Sequence, residues 1–170
     1  MLGALVVVTV GCRAEPSGSD RDCPPGTKLM GEPPPNGLKV WCERPDGTAH
    51  GPFRAWHENG QVAAEGNRTN GVSQGAFTLW FENGQKRVSG TMVDGKRHGR
   101  WVSWHINGTV AIDATFVAGE ENGAWRSYWE EGHLAARGQF EKAWEDGYWE
   151  FFHTNGKPAQ RGEYNSGKRI

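Results

Sequence analysis

The sequence predicts an all-β protein, an elongated antiparallel sheet or solenoid of stacked β-hairpins, and three observations carry that expectation. Residues 51–170 are one 24-residue unit written five times without insertion or deletion, at 51–74, 75–98, 99–122, 123–146 and 147–170. Each unit has Gly at its tenth position, preceded by Asn in four of the five, which is the short-range signature of a hairpin turn. Helix-period patterning is absent. A gapless repeat of this length marks an array whose units bury apolar surface only by stacking on their neighbours.

Within a unit, the first Gly is followed by an aromatic at position three (Phe53, Phe77, Trp101, Trp125, Trp149) and another at position six (Trp56, Trp80, Trp104, Tyr128, Phe152). Asn59-Gly60, Asn83-Gly84, Asn107-Gly108 and Asn155-Gly156 predict two-residue loops of type I′, in which both residues take positive φ. Glu131-Gly132 of the fourth unit predicts a weaker turn or another type.

A two-residue loop sets position three opposite position sixteen, which is Gly66, Gly90, Ala114, Gly138 and Gly162. It sets position six opposite thirteen, which is Ala63, Arg87, Ala111, Ala135 and Ala159. Rings then face small partners at two places per unit. Alternation gathers positions three, five, seven, twelve, fourteen, sixteen and eighteen on a core face. The other face holds the sixth-position aromatics among charged residues such as Glu65, Asp113, Arg126, Arg137 and Glu150.

Ahead of the array, residues 1–11 carry no charge and run Leu2, Ala4, Leu5, Val6, Val7 and Val8 into Thr9-Val10-Gly11-Cys12. That stretch is too short to span a bilayer but suits the apolar part of an export signal. A small residue before Cys12 resembles the lipobox of bacterial lipoproteins, which implies lipidation at Cys12, a tether over residues 12–22, and an anchored protein of the bacterial cell envelope facing periplasm or exterior. In an exported chain the remaining pair, Cys23 and Cys42, is expected to form a disulfide. Residues 23–50 then read as a disulfide-tied cap covering the first edge of the array.

Aromatic-x-x-aromatic followed by Asn-Gly, as in Trp101-Val102-Ser103-Trp104-His105-Ile106-Asn107-Gly108, resembles the MORN repeat in its bacterial variant form over residues 51–170. The resemblance implies stacked hairpins, docking of proteins or membranes, and no catalytic residues. Bacterial proteins of this kind often carry the label of antitoxin-like components of toxin–antitoxin systems.

Chemistry-bearing motifs are few. His57, His105 and His153 occupy the seventh position of alternate units, roughly 19 Å apart at about 4.8 Å per strand, so they share no metal ion, whose ligands lie within about 2.1 Å. The carboxylate pairs Glu120-Glu121, Glu130-Glu131 and Glu145-Asp146 fall at turns, where solvated charge belongs. No nucleophile elbow or phosphate loop is present. Residues 51–170 hold 14 Lys/Arg and 14 Asp/Glu interspersed, without the basic stripe of a nucleic-acid binder.

The expectation is therefore a non-enzymatic, membrane-anchored repeat protein without cofactor or metal, serving as a protein-interaction scaffold. Its partner is a protein or a cell-envelope component, and not nucleic acid. The sixth-position ladder Trp56, Trp80, Trp104, Tyr128 and Phe152 is the candidate binding surface. Three alternatives stay open: the ladder stacks on envelope glycan or choline-like groups, it only packs, or, as the resemblance implies, the chain is an antitoxin-like component of a toxin–antitoxin system.

Overall fold

The computed structural model describes residues 23–170, and the leader, the tether and Cys12 lie outside the described residues. The chain forms one sheet of antiparallel strands, with no helix among the described residues. In order the strands are β1 (Lys28–Glu32), β2 (Lys39–Glu43), β3 (Ala49–Trp56), β4 (Val62–Thr69), β5 (Val72–Ser73), β6 (Gly75–Trp80) and β7 (Lys86–Val93). They continue as β8 (Lys96–Trp104), β9 (Val110–Val117), β10 (Glu120–Tyr128), β11 (Leu134–Glu141), β12 (Trp144–Phe152), β13 (Pro158–Asn165) and β14 (Lys168–Arg169). Each strand pairs with its sequence neighbours except that short β5 folds back on β4 and β6 takes the next place. This is the stacked-hairpin sheet expected from the repeat.

Position three does lie opposite position sixteen: Phe53 pairs with Gly66, Phe77 with Gly90, Trp101 with Ala114, Trp125 with Gly138 and Trp149 with Gly162. The missing side chain is required, because a Cβ built on Gly90 or Gly138 would collide with the indole of Trp101 or Trp149. Along the sheet these rings stack on one another, Phe53 to Phe77 at 6.4 Å, Phe77 to Trp101 at 6.1 Å and Trp125 to Trp149 at 5.5 Å between centroids. Trp101, Ala114 and Phe116 are the buried centre, with Phe77, Val88, Met92 and Trp125 packed against them. Buried indole N–H groups need acceptors, and those of Trp101 and Trp149 donate to the carbonyls of Thr91 and Gln139, both at 3.1 Å. The guanidinium of Arg97 covers the cluster, 4.9 Å from the Trp101 ring and 5.2 Å from Phe116.

The turn at position ten is not type I′. Gly60 has φ of 82° while Asn59 stays outside the positive region, the His57 N–H donates to the Gln61 carbonyl, and the Gly60 N–H donates to the His57 carbonyl. That pattern is a three-residue loop, a type I turn closed by a glycine bulge. It recurs at Phe81–Gln85, His105–Thr109, Trp129–His133 and His153–Lys157. The fourth unit is therefore no exception in turn type: position nine has ordinary φ, which Glu131 adopts as readily as Asn.

One extra loop residue shifts the register by one, and the strand restores it with a bulge at position thirteen. Position six consequently faces position twelve: Trp56 pairs with Val62, Trp80 with Lys86, Trp104 with Val110, Tyr128 with Leu134 and Phe152 with Pro158. The expected partner at thirteen is corrected, and so is the assignment of position twelve to the core face, since cross-strand partners share a face.

Type I′ turns do occur, at the return between units. Asn70-Gly71, Asp94-Gly95, Ala118-Gly119, Lys142-Ala143 and Ser166-Gly167 all have positive φ at both residues. The N–H of each second turn residue donates to the preceding unit, as Gly119 to the Arg97 carbonyl at 2.9 Å and Ala143 to that of Glu121 at 2.9 Å. At the array's start, a disulfide joins Cys23 to Cys42, and Cys42 and Val40 of β2 are buried.

Candidate interaction surface

The face away from the stacked rings is organised in rows that cross the strands. Along the loop edge runs the sixth-position ladder. All five of its rings are half-buried. The Arg137 guanidinium lies 5.9 Å from the Phe152 ring, which fixes ladder and charged residues on the same side.

Beside the ladder runs a row built from positions four and fifteen. Register sets Arg54 opposite Glu65, Thr78 opposite Ser89, Val102 opposite Asp113, Arg126 opposite Arg137 and Glu150 opposite Arg161. Arg54 and Glu65 form an ion pair. Asp113 is held by Arg100 through two parallel bonds, Nε to Oδ1 at 2.8 Å and Nη2 to Oδ2 at 2.9 Å. That bidentate contact holds the Arg100 guanidinium above its ordinary pKa, through the hydrogen bond first and the carboxylate charge second. Arg137 donates through Nε to Glu150 at 2.6 Å.

Two shallow depressions open on this row. One, about 450 Å³, is lined by Pro52, Arg54, Glu65, Asn67, Ala76 and Thr78. The other, about 270 Å³, is lined by Ala124, Arg126, Arg137, Gln139, Tyr148 and Glu150. None of the five ladder rings lines either one. Large aromatic groups outside the ladder are exposed, among them Trp144 at 60 % and Tyr148, in the lining of the second depression, at 47 %.

At the loop edge, side chains tie unit to unit. His57 and His105 use Nε2 to donate to the carbonyls of Trp80 and Tyr128 at 3.0 and 2.8 Å, and Trp129 donates to that of Phe152 at 3.2 Å. A carbonyl can only accept, so Nε2 carries the proton. The seventh position is thus a hydrogen-bonding slot, which explains His and Trp there better than ring packing alone. Asn59, Asn83 and Asn107 do the same with Nδ2, to the carbonyls of Glu82, Ile106 and Glu130. Among the described residues no three His, Cys, Asp or Glu side chains gather as a metal ion would need.

With this geometry in view, the family model described as MORN repeat variant matches the chain at residues 49–70, 121–142 and 145–166. Over those three stretches the chain is similar to the MORN repeat variant. No curated protein matches the chain.

Proposed function

We propose that this chain is a non-enzymatic repeat scaffold that docks a partner protein on the face carrying the ladder Trp56, Trp80, Trp104, Tyr128 and Phe152. The observation behind this reading is the line of half-buried rings, one on every second strand, beside a charged row on one continuous sheet, a long surface of mixed apolar and polar character. Specific interfaces combine buried aromatics with a polar rim in this way. Cys12, lipidated, anchors the scaffold to the membrane of a bacterial envelope, with residues 12–22 as its tether.

The test is capture of a partner from the source cell's lysate, followed by mass spectrometry, with the wild-type chain and two variants. Trp80→Ala/Trp104→Ala should stay folded by circular dichroism and lose the captured partner. If that variant melts as early as one cut in the ring stack, the ladder is structural and the docking role loses its support. Lipidation is read separately, as an acylated Cys12 N-terminus in the membrane fraction; an intact Met1 in the soluble fraction overturns the anchor.

A further inference from the structure

The five units are copies of one another, so each serves as a control for what the others place at the same point. At positions four and fifteen the first unit sets a guanidinium against a carboxylate, Arg54 with Glu65, and the fifth sets Glu150 opposite Arg161. In the second unit two hydroxyls meet, Thr78 Oγ1 and Ser89 Oγ at 3.3 Å. The third has Val102 at position four, and Arg100 at position two crosses over to hold both oxygens of Asp113. Only the fourth unit puts two like charges face to face, Arg126 opposite Arg137.

Like charges directly opposite are destabilising, and no other unit places such a pair in this row. Arg137 is engaged by Glu150. Arg126 is exposed and makes no ion pair among the described residues. Its other cross-strand neighbour is Asp113, which Arg100 holds through one bond to each oxygen. Position two, which carries the crossing arginine in the third unit, is Ala124 here, and the space that such a side chain would cover is the 270 Å³ depression. On its rim stands Tyr148 with a phenol half out in solvent. Departures from a local rule are concentrated where a protein binds something.

We infer that the depression lined by Ala124, Arg126, Arg137, Gln139, Tyr148 and Glu150, the last already paired with Arg137, is a carboxylate-binding subsite at Arg126, which takes an Asp or Glu side chain from an acidic segment of a partner protein. The incoming carboxylate supplies to Arg126 what Asp113 supplies to Arg100, a bidentate pair of charge-assisted hydrogen bonds. It also relieves the repulsion between the two guanidinium groups. This inference rests on the docking role proposed above and gives the partner's chemistry.

The test uses the full chain with amide chemical shifts as the readout and a capped tetraglutamate peptide as the probe. Shifts should concentrate at Ala124, Gln139 and Tyr148, leave the corresponding residues of the third unit unmoved, and fade as salt screens the pair. Arg126→Gln should weaken the response at least tenfold while holding or raising the melting temperature, because it removes a like-charge contact. A lowered melting temperature would make Arg126 structural and overturn the assignment. A second variant, Ala124→Arg with Arg137→Asp, writes the third unit's pair into the fourth and should abolish the response. An equal response to capped tetralysine or to inorganic phosphate, or one spread evenly over the units, overturns the carboxylate site. Tetraglutamate binding at the fourth unit by a chain that captures no partner would sink the docking role and leave this site standing. Partner capture lost in Trp80→Ala/Trp104→Ala, with no tetraglutamate response, would do the reverse.

Discussion

The side-chain amide of Asn83 bridges two units: Nδ2 donates to the carbonyl of Ile106, 23 residues on, at 3.0 Å, while Oδ1 accepts from the N–H of Gln85 at 3.0 Å. Asn83 is not in the left-handed region, so what the position needs from asparagine is this pair of bonds. Asn83→Asp keeps the acceptor and loses the donor. It should cost about 1 kcal/mol, the net value of one hydrogen bond, measured by denaturant unfolding. A neutral Asp would mean that the inter-unit bond contributes nothing.

In the fourth unit Glu131 has no amide to reach across, and His133 reaches instead, with Nδ1 2.7 Å from the carbonyl of Thr154. His133→Ala should therefore destabilise the last two units by about 1 kcal/mol. Adding Glu131→Asn should restore most of that loss, because it returns the bridge that the first three units use. Hydrogen exchange at the loops of the fourth and fifth units would show both effects, and a double variant no better protected than the single one would refute the exchange of roles.

Lys142-Ala143 is the one return turn without glycine as its second residue, and Ala143 sits at φ 66°. A side chain in that region costs about 1 kcal/mol relative to glycine. Ala143→Gly should raise the melting temperature, and Gly119→Ala, the mirror change one unit earlier, should lower it.

Trp101 is 4 % exposed, so Trp101→Ala should cost about 3 to 5 kcal/mol. Gly90→Ala drives a methyl group into the Trp101 ring and should cost about 1 to 3 kcal/mol. Thermal melts that leave either variant unchanged would contradict the stacked-ring core.

Asp46 accepts from the N–H of Thr48 at 2.9 Å in the loop that leads into β3. That backbone bond first, and the Thr48 hydroxyl second, hold its pKa below the usual 3.8. A depressed carboxylate stabilises the fold fully above its unfolded pKa and loses that contribution as pH falls through the folded value. The loop at residues 44–48 should therefore loosen only below about pH 4, as an NMR titration of the Asp46 carboxyl and the Thr48 amide would show.

The sequence by itself determined the period, the equivalence of positions between units, the ring-over-glycine pairing of positions three and sixteen, and the face on which the core lies. These follow from side-chain size and alternation, which a strand expresses without reference to its neighbours. The turn types were decided elsewhere. Asn-Gly at positions nine and ten satisfies a type I′ loop on paper, yet all five units close with a type I turn and a glycine bulge, and in the first three the Asn side chain bonds a carbonyl of the next unit. That slip moved the partner of Trp104 from Ala111 to Val110. Likewise Arg126 reads in the sequence as one more surface charge. Only the stacking of β9, β10 and β11 sets it between an Asp113 held by Arg100 and a facing Arg137, with no ion pair of its own among the described residues. Contacts between units belong to the assembled sheet, because they depend on which backbone groups the neighbouring strand leaves open.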